Sequence, residues 1–192
     1  MKIGILAVQG AFAEHRRKLE GLGAECVELR KEADLKEAFD GLVLPGGEST
    51  VQGKLLRELD MLDSLRQWIE NGLPVLATCA GLILLAEKVS GGQTYLGTLP
   101  VTVKRNAYGR QLGSFRVNEE FKGLGKMPMT FIRAPYVEKA GNETEVLAAV
   151  DGKIVAVRSG RQYGFAFHPE LEADNRVHEM FMEQCRAFER GL

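Results

Sequence analysis

A cysteine set among small residues, a histidine two positions before a glutamate, and a glycine pair after an apolar run are the residues of this chain that could do chemistry together. They occupy three short segments, in the order Leu44-Pro-Gly-Gly-Glu-Ser-Thr50, Ala77-Thr-Cys-Ala-Gly81 and Phe167-His-Pro-Glu170. Cys79 offers a thiol nucleophile. His168 can take its proton and return one to a departing nitrogen near neutral pH. Glu170, two residues on in an extended segment, faces the same side and can fix the imidazole tautomer. Pro45-Gly46-Gly47 forms a turn that exposes backbone N–H groups, so that the N–H groups of Gly47 and Ala80 make a two-donor oxyanion hole. The chemistry is acyl transfer through a cysteine.

Residue type alone also admits plainer readings. A lone strand cysteine is more often a buried core residue, a His-x-Glu segment fits a surface pair, and the glycine turn fits an ordinary turn with Ser49 or Thr50 capping the next helix. The surroundings of Cys79 bring its two readings level: a strand running through Thr78-Cys79-Ala80-Gly81 straight into a helix is a nucleophile elbow. Ala77 and Gly81 leave room for that helix to pack close, and a helix N-terminus favours a thiolate. His15 and His178 lie in helical stretches among charged residues, which predicts solvated faces. His15, after the Gln9-Gly10 turn, can also line an edge of the site. For Cys26 and Cys185 burial is the default.

Each of the three segments ends an apolar, strand-like run, so all can meet along the carboxyl edge of one sheet. The pattern predicts strands at residues 2–8, 26–29, 42–44 and 74–77. Helices are predicted at 11–22, with Phe12, His15, Leu19 and Leu22 at helical spacing, at 49–69, stopped by Gly72 and Pro74, and at 81–89. That alternation predicts an α/β fold with a largely parallel sheet. The second half reads as short strands at 98–104, 114–117, 129–132, 145–150, 153–157 and 163–167, with Asp151-Gly152 as a hairpin turn, and a closing helix at 174–189.

The 192 residues suit one domain, residues 1–192, with a substantial core. Basic and acidic residues number 25 and 26, for a net charge of −1, which gives no electrostatic case for nucleic acid or an anionic membrane surface. The apolar runs are far shorter than the roughly 20 residues of a spanning helix, and the N-terminal run carries no cleavage-site pattern. The 3 cysteines show no C-x-x-C spacing, which argues against a disulfide framework or a zinc site. A cytoplasmic protein is expected.

The three segments in this order resemble those of the class I, triad-type glutamine amidotransferases. Val8-Gln-Gly-Ala11, Leu44-Pro-Gly-Gly-Glu-Ser-Thr50, Thr78-Cys-Ala-Gly-Leu82, Lys104-Arg-Asn-Ala-Tyr-Gly-Arg-Gln111, Phe131-Ile-Arg-Ala-Pro135 and Phe167-His-Pro-Glu-Leu171 are similar to the glutaminase subunits of pyridoxal phosphate synthase. The similarity spans essentially the whole chain, and the fourth and fifth segments are its most specific. It implies the flavodoxin-like class I amidotransferase fold, a central largely parallel mixed sheet flanked by helices, with short antiparallel strands in the second half. It implies hydrolysis of L-glutamine by Cys79, His168 and Glu170, with Gly47 and Ala80 as oxyanion donors. Gly47, Glu48, Ser49, Arg105, Ile132 and Arg133 would line the glutamine pocket. The implied partner is a (β/α)₈-barrel synthase subunit that consumes the ammonia and docks near Gln9 and Gly10. No cofactor and no metal are implied.

Overall fold

Short strands with almost no polar position read as central members of a parallel sheet, because helices cover both their faces. In the computed structural model, which describes residues 1–105 and 113–189, two such strands are wholly buried: β3 (Gly41–Leu44) and β4 (Val75–Thr78). Around them the chain runs β1 (Lys2–Leu6), α1 (Phe12–Gly21) and β2 (Glu25–Leu29), then β3, α2 (Ser49–Glu58), α3 (Leu62–Glu70), β4, α4 (Ala80–Leu85), β5 (Ala86–Ser90) and β6 (Leu99–Lys104). It continues as β7 (Ser114–Phe121), β8 (Gly125–Ile132), β9 (Tyr136–Ala140), β10 (Glu145–Val150), β11 (Lys153–Ser159), β12 (Gln162–Phe165) and α5 (Arg176–Glu189). Two 3₁₀ turns, Glu32–Lys36 and Pro169–Leu171, complete the described elements.

Among the described residues, ten strands form one sheet in the order β2-β1-β3-β4-β12-β11-β9-β6-β5, with β10 paired to β11 off that path. The run from β2 to β12 is parallel throughout. The far half is mixed, β11 lying antiparallel to β12, β9 and β10. β7 and β8 make a separate antiparallel hairpin. The α/β architecture is thus the one expected, including the antiparallel second half. Asp151 and Gly152 both have positive φ, 48° and 74°, as the two-residue turn between β10 and β11 demands.

Two expected helices are corrected. The helix expected at 49–69 is two, because the chain turns at Leu59-Asp60-Met61, with Asp60 at φ 53°. The helix expected at 81–89 ends at Leu85, and Ala86–Ser90 is a strand parallel to β6. Leu82, Leu85, Ala86 and Val89 have helical spacing, but pairing with β6 overrides it; a register shift between Ala86 and Lys88 adapts the strand to that spacing. β9 was not anticipated. Its sequence YVEKA carries two charges and buries only Val137, so its pairing with β6 decides its conformation.

The core under the carboxyl end of β12 is aromatic. Phe165 and Phe167, two apart and on one face, stack at 5.3 Å, and Phe131 of β8 meets Phe167 edge-on at 5.8 Å. All three are fully buried, each contributing about 2 kcal/mol by removal from water. They fix the backbone that leads into His168.

Candidate active site

The sheet order puts β3, β4 and β12 side by side, so the segments that leave their carboxyl ends must converge. β4 ends at Thr78 and α4 starts at Ala80, which leaves Cys79 alone to reverse the chain. It does so at φ 49° and ψ −101°, a conformation costing a non-glycine residue on the order of 1–3 kcal/mol. Gly81 makes the turn possible: a Cβ there would overlap the carbonyl oxygen of Leu44 in β3. Ala80, first residue of α4, carries one of the helix's free N–H groups.

His168 follows Phe167 and is tied to the β7–β8 hairpin by its N–H, which donates to the Thr130 carbonyl at 2.8 Å. Pro169 then opens a 3₁₀ turn that brings Glu170 back beneath the imidazole. His168 Nδ1 lies 2.7 Å from Glu170 Oε1. Burial presses the imidazole towards neutrality, but the hydrogen bonds and charges of Cys79 and Glu170 outweigh it and raise its pKa to about 10. Burial likewise pushes the Glu170 carboxyl up, and the neighbouring His15 and His168 more than reverse this, holding it below the usual carboxylate range. The structure therefore brings Cys79, His168 and Glu170 together, with His168 protonated at neutral pH and Glu170 ionised.

Gly46 passes directly beside Cys79 and His168, and Gly47 follows it against Gln9 and Gln52. A Cβ on Gly46 would collide with the His168 ring. The Gly46 N–H donates to Thr78 Oγ1 at 3.1 Å, and its carbonyl accepts the Ala11 N–H at 2.9 Å. In a trans peptide the Gly47 N–H points the opposite way from that carbonyl, away from the Ala11 turn. Gln9 and Gly10 brace the same turn. Gln9 Oε1 accepts the Glu48 N–H at 2.8 Å, while Gly10, at φ 109°, has no room for a side chain beside the Gly46 oxygen. Gln52 lies buried between them, its Nε2 donating to the Gln9 carbonyl at 2.8 Å and the Pro45 carbonyl at 3.2 Å.

Around the mouth, Arg105 pairs with Glu48 at 3.0 Å. Hydrogen bonds from Thr50, with Arg105 and Arg133 nearby, hold Glu48 below its ordinary range despite partial burial. Ser49 begins α2 and is buried. The Ile132 carbonyl is 3.9 Å from Cys79 Sγ, and Arg133 follows it at φ 42°. Of the segment 104–111, residues 106–111 lie outside the described residues.

Three polar residues were not foreseen at the site, Thr78, Gln52 and His178, and a fourth, His15, was expected either on a solvated face or at an edge of the site. All are fully buried, so the solvated faces expected for the two histidines are corrected. His15 Nε2 stands 3.1 Å from Thr78 Oγ1 and 3.3 Å from Glu170 Oε2, and its Nδ1 stands 3.0 Å from His178 Nε2. The signal was the helical period. His15 belongs to the set Phe12, His15, Leu19 and Leu22, and His178 lies three, four and seven positions before Phe181, Met182 and Cys185. No group of three or more His, Cys, Asp or Glu able to hold a metal occurs among the described residues. Nor is any helix among them long and apolar enough to cross a membrane.

Glu172 fastens the His168 segment to the hairpin. It accepts from Arg116 of β7 at 3.0 Å and from Thr130 of β8 at 2.5 Å. Burial pushes this carboxyl up, but the Arg116 and Thr130 hydrogen bonds outweigh it and lower its pKa. A carboxyl depressed in the fold contributes stability above its unfolded pKa and loses it as pH falls through the folded value. Glu172→Gln should therefore lower the urea midpoint at pH 7, and the gap from the native chain should close on acidification below about pH 4. Urea titrations at pH 7 and pH 3 check this, and a gap unchanged between them would contradict it.

Comparison with known proteins places the chain. It is 61% identical over 184 residues to the pyridoxal 5'-phosphate synthase subunit PdxT of Desulfitobacterium hafniense, covering 95% of this chain and 92% of that one. It is 53% identical over 190 residues to the PdxT subunit of Streptococcus pneumoniae, covering 97% and 98%. Among solved structures, one described as a glutamine amidotransferase superposes with a TM-score of 0.90 at 44% identity, over 95% of this chain and 98% of that one. A glutamine amidotransferase of Thermotoga maritima, 13% identical with a TM-score of 0.64 over 100% and 86%, shares the fold. The family model of the SNO glutamine amidotransferases matches residues 5–187, and the chain belongs to that family.

Proposed function

We propose that this chain is the glutaminase subunit of a pyridoxal 5'-phosphate synthase, a single domain over residues 1–192 that hydrolyses L-glutamine to L-glutamate and ammonia. The observation that carries the reading is the strained Cys79 elbow facing His168, itself 2.7 Å from Glu170. The PdxT relatives support the destination of the ammonia.

In the proposed mechanism the Cys79 sulfur attacks the side-chain carbonyl carbon of glutamine, and the thiol proton resides on His168. The tetrahedral oxyanion rests on the Gly47 and Ala80 N–H groups. The C–N bond breaks as His168 gives its proton to the leaving nitrogen, and ammonia departs. Water, deprotonated by His168, then cleaves the γ-glutamyl thioester and releases glutamate. Glu170 holds the imidazole tautomer throughout. Gly47, Glu48, Ser49, Arg105, Ile132 and Arg133 line the substrate pocket: a carboxylate suits the substrate ammonium, and an arginine suits its carboxylate. The Glu48–Arg105 pair at 3.0 Å is the arrangement those groups adopt with each other.

Ammonia set free in water is protonated and lost as a nucleophile, so the chain works docked on a (β/α)₈-barrel synthase subunit, in the cytoplasm. Its 3 cysteines, all free thiols, suit a reducing compartment. We place the docking face at Gln9 and Gly10, since the turn they form holds the Gly46 and Glu48 backbone. Glutamate release by the purified chain, alone and with the synthase subunit, tests the reading: strong stimulation supports it, and no release under either condition refutes it. Gln9→Ala removes the acceptor of the Glu48 N–H and should lower stimulated activity about tenfold, the value of one hydrogen bond. Full stimulated activity in that variant would remove Gln9 from the activation path.

A further inference from the structure

The carboxylate of Glu170 has two oxygens, and the triad uses one. Oε1 lies on His168 Nδ1 at 2.7 Å. Oε2 is sealed from water and has no aligned hydrogen-bond donor among the described residues. The nitrogen it faces is His15 Nε2, at 3.3 Å. His15 comes from α1, which packs on the Pro169–Leu171 turn, and it is backed by His178 of α5 at 3.0 Å.

The hydrogen-bond inventory fixes the direction of this chain of groups. Burial drives both His15 and His178 below the ordinary imidazole range, so each ring is neutral, with one donor and one acceptor nitrogen. An ionised carboxylate only accepts. Placing the His15 proton on Nε2 gives Thr78 Oγ1 a donor, turns the positive side of the ring towards Glu170 Oε2 at 3.3 Å, and leaves Nδ1 to accept the His178 Nε2–H. The remaining atom, His178 Nδ1, is then a bare lone pair, and it is indeed buried without a partner. The opposite tautomer would press a lone pair against the carboxylate and strand a buried N–H instead, which costs more. Thr78 Oγ1 also accepts the Gly46 N–H at 3.1 Å, so His15 reaches both the triad carboxylate and the glycine turn.

We infer that His15 is a positioning residue for the glutaminase triad: braced by His178, its Nε2–H bonds the Thr78 hydroxyl and its ring lies against the outer edge of Glu170, so that Oε1 stays on His168 and the Gly46 turn stays over Cys79. This rests on the glutaminase reading above. The charged and titratable groups around His15 are Glu170 and His168 from the β12 side, Glu14 and Lys18 from its own helix, and His178 from α5. Lys18 is occupied by the Asp174 carbonyl and Asn175 Oδ1 at 3.1 and 2.8 Å.

The test compares His15→Leu, His15→Gln and His178→Leu with the native chain, each in complex with the synthase subunit, by steady-state glutamate release. A second arm follows the pH dependence of Cys79 alkylation by iodoacetamide in the chain alone, and thermal melting accompanies both. Loss of a polar contact to an ionised group is worth about 10–100-fold, so His15→Leu should lower kcat by about that factor with KM within about twofold, and should move the alkylation profile. His15→Gln, whose amide N–H replaces Nε2–H, should recover most of the loss. His178→Leu should show a smaller loss of the same kind, and serves if His15→Leu does not fold. Native kcat and an unmoved alkylation profile in His15→Leu would overturn the proposal. So would losses in all three variants, His15→Gln included, that track melting temperature alone. If the native chain itself releases no glutamate with the synthase subunit, the glutaminase reading fails, and the alkylation arm still decides whether His15 positions the Cys79–His168 pair.

Discussion

Cys79→Ala should abolish glutamate release from L-glutamine in the synthase complex, by about 10⁴-fold or more, while the chain still folds and docks. Removing a nucleophile leaves only substrate binding and oxyanion stabilisation, and in triad enzymes that residue is a small fraction of the whole. The side chain is small and buried at the carboxyl edge of the sheet, 8% exposed, and losing one sulfur atom opens no large cavity. Alanine keeps the same backbone strain at φ 49°. A second signature separates loss of the nucleophile from general damage. The His168 pKa is raised to about 10 partly by its hydrogen bond to Cys79. In Cys79→Ala that support disappears while burial remains, so the imidazole should titrate at a distinctly lower pH, as followed by NMR of its ring protons. Glutamate release within tenfold of native would exclude Cys79 as the nucleophile, whatever the titration showed.

Gly81→Ala should be strongly destabilising for a change of a single methyl group. The added Cβ would overlap the Leu44 carbonyl oxygen and lie 2.8 Å from its carbon and 3.0 Å from its Cβ. These are atoms of a fully buried strand, and the carbonyl belongs to its backbone, so no side-chain rotation relieves the contact. Overpacking of this kind costs about 3 kcal/mol, and for a chain of this size that lowers Tm by roughly 10 °C. Activity should fall with it, because separating α4 from β3 shifts the Cys79 turn. Gly21→Ala is the control. At the last position of α1 a Cβ meets nothing within 4 Å, so helix propensity leaves stability unchanged or slightly raised. Equal melting temperatures for Gly81→Ala and the native chain would show that α4 can move away without cost, contrary to the close packing described here.

The parallel half of the fold was legible because its strands are unbroken apolar runs that end in turn residues. Gly41–Leu44 and Val75–Thr78 admit no alternative period, and each hands the chain to a glycine-bearing turn. The proximity of Cys79 and His168 followed from those strand ends. Less could be read where pairing overrides pattern: residues 86–90 have helical spacing and form a strand, and Tyr136–Ala140 has little pattern of any kind. The break at Asp60 was hidden because apolar residues continue on both sides of it. At the site, neighbouring charge was weighed above period for His15, and the period decided the outcome. Glu14, Arg16 and Arg17 flank a residue that is wholly buried. A buried imidazole between Phe12 and Leu19 was visible as a spacing but not as a contact, since its partners Thr78, Glu170 and His178 come from distant parts of the chain.

The pairing of Gln162–Phe165 with Val75–Thr78 has a consequence for biosynthesis. During translation Cys79 leaves the ribosome long before His168 is made, and a parallel pairing across so long a separation is a slow, late event in folding. Until β12 slides in beside β4, the thiol has neither proton acceptor nor carboxylate behind it. A nascent or truncated chain is accordingly inert towards glutamine, and activity should return during refolding only with the final global phase, in step with protection of the β4 and β12 amides from hydrogen exchange.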